Sequence, residues 1–250
     1  MSSKVEVSIV ETGPSVKMED FTLIEGFPGM GLVGTIAAKY LVEKMDFKEI
    51  GYIHADSFMP IIRIHDGLPV RPSRIYVNES AKLVVLISEQ IIQKQHTQVV
   101  AEKIVDWVRD RRIKRIISLS GIGSEPDSKE FKIYGIASNE ASKKLLQDHK
   151  IQLIKEGITT GVTALMMLEL KDDKNIEAIS LLGSIKIGAD YKAAAELLKK
   201  LNEVMSWNIN VEPLMKEAKE TEKELIKQLD KLKETHDDVQ KFEDQAPMYA

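Results

Sequence analysis

The chain has 250 residues, 43% of them hydrophobic, which suffices for one large buried core with or without an appendage. It has no cysteine and no apolar run near the roughly 18 residues of a membrane span, so disulfides, thiolate metal sites and a spanning helix are excluded and a cytoplasmic location is expected. The net charge of −4 is unevenly placed: seven lysines and eleven acids fall from Trp207 onward, and the body keeps twenty-eight residues of each sign, so no basic face for nucleic acid is expected.

The opening Met1-Ser2-Ser3-Lys4-Val5-Glu6 has no apolar leader core, so no secretion signal is expected. Residues 5–10 read as a short strand ended by Gly13-Pro14. Residues 21–25 form an apolar run suited to a buried strand. Leu32, Val33, Ile36, Ala37, Tyr40 and Leu41 recur at helical spacing and mark a helix with one buried face. A strand is expected at 50–55, a short β-prone piece at 61–64, and an extended proline-bearing stretch at 68–72. Residues 74–77 and 82–88 read as a hairpin turning at Asn78-Glu79-Ser80.

A strongly patterned helix carries Val100, Ile104, Val105 and Val108 and is expected from about Thr97 to Arg112. Strands follow at 115–120, 132–137, 152–156 and 178–182. Helices are expected at 140–147, capped by Ser138 or Asn139, at 162–170 and at 191–205. Strands and helices alternate, which predicts an α/β fold with a mixed, largely parallel sheet flanked by helices on both faces. Beyond Asn210 the apolar stripe narrows to Leu214, Ala218, Leu225, Leu229, Leu232 and Val239. That stripe fits a projecting arm, a seam against another helix, or a solvated helix on its own domain. The expected division is a domain over 1–209, a helical arm over 210–238 and a disordered tail over 239–250.

Gly29, Gly31 and Gly34 stand at G-x-G-x-x-G spacing between an expected strand and an expected helix. That arrangement presents bare N–H groups at the positive end of a helix and can cradle a phosphate. Asp56 lies near the place where a ribose-binding acid would fall, but Pro28 precedes the first glycine and a hairpin follows instead of a second βα unit. The alternative is that Gly26, Gly29, Gly31 and Gly34 let a helix pack closely on its strand.

No nucleophile is evident: Ser118-Leu119-Ser120-Gly121 lacks the first glycine of a nucleophile elbow. The five histidines are scattered. His54 with Asp56 and His65 with Asp66 are the nearest approach to a metal pair, and neither forms a ligand set, so no metal, cofactor or catalytic residue is assigned. Glu25, Glu89 and Glu156 fall near expected strand ends, where active sites gather in α/β folds and where capping carboxylates also fall.

The string Gly26-Phe27-Pro28-Gly29-Met30-Gly31-Leu32-Val33-Gly34, with Ala37, Ala38, Tyr40 and Leu41, resembles the opening signature of the proteasome assembly chaperone family in its archaeal branch. That branch is related to the second subunit of the eukaryotic assembly-chaperone pair. His54-Ala55-Asp56-Ser57-Phe58-Met59-Pro60 and Glu156-Gly157-Ile158-Thr159-Thr160-Gly161-Val162-Thr163-Ala164-Leu165 resemble two further family segments, and Ala193-Ala194-Ala195 with Asn210-Val211-Glu212-Pro213-Leu214 resembles its closing helices. The resemblance implies a phosphorylase/hydrolase-like α/β fold without established catalysis, self-association, and binding to proteasome α subunits. The terminal Met248-Tyr249-Ala250 resembles the hydrophobic–tyrosine–any-residue peptide that docks between α subunits. The expected function is that of a non-enzymatic homo-oligomeric chaperone or activator-like factor; the alternative is a nucleotide- or nucleoside-binding enzyme using the Gly29–Gly34 turn.

Overall fold

A computed structural model describes residues 6–13, 15–55, 58, 60–123, 130–185 and 188–216. Its centre is a parallel run of four strands, each with an apolar stretch at its middle. β2 (Thr22–Gly26) lies between β7 (Leu83–Ser88) and β8 (Arg115–Gly123), and β11 (Glu177–Ile185) lies beyond β8. These pairs are all parallel. Burial on both faces explains the continuous apolar runs: Leu23, Val84 and Ile116 enter one core, while Ile24, Val85 and Ile117 enter the other.

Antiparallel strands extend the sheet on both sides. β1 (Ser8–Glu11), β3 (Lys48–His54) and β6 (Ser73–Asn78) continue it beyond β7, and β9 (Ile133–Ala137) pairs antiparallel with β11. The two-residue β10 (Gln152–Leu153) closes the far edge. The order β1-β3-β6-β7-β2-β8-β11-β9-β10 is the mixed, largely parallel sheet that the alternation of elements predicts. β6 and β7 form the expected hairpin: Asn78 Oδ1 accepts from the Ser80 hydroxyl and the Ala81 N–H, which fixes the turn.

Helices cover both faces. α2 (Lys94–Asp110) and α4 (Val162–Glu169) lie on one. α1 (Val33–Lys44) and α5 (Tyr191–Met205) lie on the other, joined by α3 (Glu140–Asp148) through Leu146. α2 begins a turn earlier than the apolar pattern suggests. Its first turn is polar, but Gln93 supplies an extended N-cap and its carbonyl accepts from the Thr97 hydroxyl. β10 stops at Leu153 because the chain leaves the sheet once Ile154 has donated its N–H to the Gly135 carbonyl.

Asn139 caps α3, accepting from the Ser142 N–H at 2.9 Å while its own amide donates to the Asp173 and Ile176 carbonyls at 3.0 and 3.2 Å. One side chain thus satisfies a helix end and pins the loop before β11. Asn139→Ala is expected to lower stability by about 2 kcal/mol, the upper range for a lost cap, as read from urea unfolding.

Residues 207–214 still belong to the body. Val211 and Leu214 are buried in the core under α1 and α5, the Tyr40 hydroxyl donates to the Asn210 carbonyl at 2.6 Å, and Asn202 bonds Ile209 in both directions. The remaining arm and the tail expected from the sequence lie outside the described residues. No helix among the described residues is long and apolar enough to cross a membrane.

Candidate functional site

The chain leaves β2 and β7 toward opposite faces, through α1 on one side and α2 on the other. Such a switch point is where α/β sheets place ligand crevices. Here it is occupied by the glycine turn and a hydroxyl network. After Gly26, a 3₁₀ turn (Met30–Leu32) leads into α1, with Gly31 at φ +65° and its carbonyl accepting from the Asp190 N–H at 2.8 Å.

The glycines of the turn leave no room for a side chain. A Cβ on Gly26 would lie 2.4 Å from the Gly34 carbonyl oxygen, one on Gly34 would lie 1.9 Å from the Leu119 oxygen, and one on Gly29 would lie 2.9 Å from Ser120 Oγ. Reciprocally, a Cβ on Gly121 would lie 2.2 Å from the Met30 oxygen. The start of α1 therefore rests directly on the end of β8. Pro28 sits between Phe27 and Gly29 in the lead-in to that turn. Gly26, Gly29 and Gly34 thus form one close strand-to-helix contact against Leu119 and Ser120, and Gly31 turns the chain into α1 against the Ile185 side chain.

Alongside, Thr35 Oγ1 donates to the Ser88 carbonyl at 3.2 Å. Ser88 Oγ donates to the Gln90 carbonyl at 2.9 Å, so the Ser73 hydroxyl, 2.8 Å away, must donate to Ser88.

On the opposite face Glu25 is fully buried at the carboxyl end of β2. The Thr163 hydroxyl, at the start of α4, lies 3.1 and 3.0 Å from its two oxygens. Ser118 is its register neighbour on β8. Desolvation pushes the carboxyl up to about 7, against the Ser118 and Thr163 hydroxyls and the Phe27 N–H, which pull it down. The Ser118 oxygen is close enough to exert that pull, yet it makes no hydrogen bond of good geometry. On α2, His96 is buried with neither ring nitrogen bonded among the described residues, its ring 5.8 Å from that of Phe58. At 0% exposure Glu25 meets hydroxyls and no solvent, so it joins β2 to α4 rather than facing a substrate.

The other strand-end acids differ. Glu89 receives Arg74 Nη2 at 2.7 Å and Arg63 Nε at 3.2 Å, so it is bound by two guanidiniums. Glu156 is exposed. His65 lies 3.8 Å from Asp66, exposed, and Asp56 lies outside the described residues. No cluster of metal-ligating side chains occurs among the described residues. A cleft of about 690 Å³ opens at the amino end of the sheet, where Lys114 is bound to Asp20 at 2.6 Å and Arg115 to Glu177 at 2.6 Å. Met248, Tyr249 and Ala250 lie outside the described residues.

Sequence reasoning placed Glu25 at a strand end but missed Thr163, 138 residues away. It also treated Ser118-Leu119-Ser120-Gly121 only as a failed nucleophile motif. Leu119, Ser120 and Gly121 are the floor on which the glycine turn sits, while Ser118 faces Glu25 on the other side of the sheet.

Comparison with known proteins gives the relationship. An uncharacterised protein, MJ0106, of Methanocaldococcus jannaschii is 32% identical over 213 residues, covering 84% of this chain and 86% of that one. The crystal structure of Pyrococcus furiosus PbaA, an archaeal homologue of proteasome-assembly chaperone, superposes with a TM-score of 0.80 at 29% identity, covering 98% of this chain and 99% of PbaA. Proteasome assembly chaperone 2 of Mus musculus is 29% identical over 121 residues, 44% of this chain and 46% of that protein. The model of the PAC2 family matches residues 23–229, a span that starts in β2 and takes in the glycine turn, the Glu25–Thr163 contact and the closing helix, and this chain belongs to that family.

Proposed function

We propose that the protein is a non-enzymatic proteasome assembly factor whose oligomer binds the α ring through C-terminal peptides. The observation that carries this reading is the match to PbaA over nearly the whole of both chains; in this chain the glycine turn is filled by protein atoms. The described site supports a scaffold more than a reaction centre. Its glycines contact β8, its buried acid contacts hydroxyls, and its second strand-end acid is neutralised by two arginines.

The recognition element we assign is Met248-Tyr249-Ala250. Met248 and Tyr249 provide apolar area and a hydroxyl, and the Ala250 carboxylate offers a charge-assisted hydrogen bond to a pocket lysine. The residues before it are acidic and polar, which suits a tethered peptide. One such peptide binds weakly, and several on one oligomer gain avidity when their tethers reach adjacent pockets. Tyr249→Ala is expected to weaken capture of α subunits about ten-fold or more in a pull-down, with the fold unchanged by circular dichroism. Equal capture by the variant refutes the tail as the docking element.

A further inference from the structure

α1 packs over β2, β7 and β8. Farther along the same face of the sheet three arginines converge. Arg74 on β6 stands opposite Ile87 of β7, whose side chain enters the core under α1, so Arg74 points to that face too. Its register partner on β3 is Tyr52, and the Arg71 guanidinium lies 3.8 Å over the Tyr52 ring. Arg63 comes from a separate two-stranded antiparallel sheet, β4 (Arg63–His65) with β5 (Leu68–Val70). Glu89 draws it in: Arg63 Nε lies 3.2 Å from Glu89 Oε1, and Arg74 Nη2 donates to Glu89 Oε2 at 2.7 Å.

The charges here do not match. Glu89 is one carboxylate shared by two guanidiniums, and Arg71 adds a third cation. Glu49, on the neighbouring strand, stands across from Tyr76 and at its hydroxyl. The donors do not match either. Arg74 is 5% exposed, and its Nε is closed to solvent with no acceptor among the described residues. The Tyr76 ring, 5.7 Å from the Arg74 guanidinium carbon, offsets part of the charge but supplies no oxygen. Arg63 uses only Nε on Glu89, and with its side chain 20% exposed its other donors reach solvent. A buried guanidinium is costly wherever its charge and N–H groups lack partners.

We infer that Arg63, Arg71 and Arg74 form a binding site for a small oxyanion, a phosphate or a carboxylate, which supplies the charge that Glu89 leaves unmatched. Glu89 shows the chemistry, being an oxyanion already held by two of the three. The guanidinium fork presents paired N–H donors to paired oxygens, and the donors that remain suit a second group of the same kind. Since Arg74 Nε is closed to water, the partly exposed Arg63 side chain shifts as the anion enters. The site is separate from the glycine turn and from Met248-Tyr249-Ala250, and its test does not depend on proteasome binding.

The test is titration calorimetry of the full chain with inorganic phosphate and, separately, with acetate, each against sodium chloride at matched ionic strength. Saturable binding of at least one is expected; phosphate alone identifies a tetrahedral ligand and acetate alone a planar one. Arg63→Gln removes a charge at a partly exposed position, so it is expected to keep the wild-type far-UV spectrum and to weaken that binding about ten-fold or more. Glu89→Gln removes the internal competitor and a repelling charge, and is expected to tighten the binding about ten-fold. An ion-pair cluster that only braces the fold gives none of these results. Absence of saturable binding of both anions overturns the inference, as does equal binding by Arg63→Gln, or a folded Glu89→Gln that binds no tighter than wild type.

Discussion

Gly34→Ala is expected to destabilise the protein by about 3 kcal/mol or more, although the substitution favours a helix. Gly34 lies in the first turn of α1, where alanine gains about 1 kcal/mol from lower backbone entropy in the unfolded chain. The opposing effect is larger. The new Cβ falls 1.9 Å from the Leu119 carbonyl oxygen and 2.8 Å from its carbon. Neither is the flexible end of a side chain, so α1 and β8 must move apart, and overpacking of this kind costs about 1–3 kcal/mol and more where backbone must yield. The movement spreads, because Gly26 meets the Gly34 carbonyl and Gly121 meets Met30 across the same contact. Gly123→Ala is the control: its Cβ meets only Met30 Cε, at 3.7 Å, and stability is expected to stay within about 0.5 kcal/mol. Urea unfolding of the pair decides. Equal midpoints for Gly34→Ala and Gly123→Ala mean that the turn has slack the structure does not show.

The strand, turn and helix around Gly26–Gly34 were legible because glycine spacing and helical periodicity are local signals. What fills the space the glycines leave was not, since the Leu119 oxygen lies some 85 residues on and any small neighbour satisfies the same spacing. Glu25 shows the same limit. A carboxylate ending an apolar run is visible in the sequence, whereas its burial depends on α4 laying Thr163 across it. The parallel order of the centre followed from the alternation of elements. The separation of β4–β5 did not: Pro60, Pro69 and Pro72 announce extended chain but do not state which strand it pairs with. α3 was the opposite case: Ser138 or Asn139 announced the cap, and Asn139 makes it.

Stability is expected to fall by about 3 kcal/mol as pH rises from below 4.5 to above 7, through Glu25 alone. Burial raises its folded pKa to about 7 from the ordinary 4.5. Below 4.5 the group is neutral in both states and folding carries no ionisation penalty. Between 4.5 and 7 the unfolded chain loses the proton while the folded chain keeps it, so the folded state binds more protons and stability declines with rising pH. Above 7 the carboxylate is charged in both states and the penalty is constant. Glu19 and Asp20 act oppositely. Lys17 foremost holds Glu19 below the usual carboxylate range and Lys114 does so for Asp20, so their contribution is lost as pH falls through their lowered values. Comparing variant with wild type removes these shared contributions. Glu25→Gln keeps the size and the hydrogen bond to Thr163 but cannot ionise. It is expected to match wild type at low pH within about 1 kcal/mol and to exceed it by up to about 3 kcal/mol near pH 8. Glu25→Ala removes the Thr163 partner and opens a void, and it is expected to be less stable than Glu25→Gln at every pH. Urea midpoints across the range read the difference. Parallel profiles for wild type and Glu25→Gln would mean that Glu25 is solvated or ion-paired in solution, contrary to its hydroxyl-lined, fully buried position between β2 and α4.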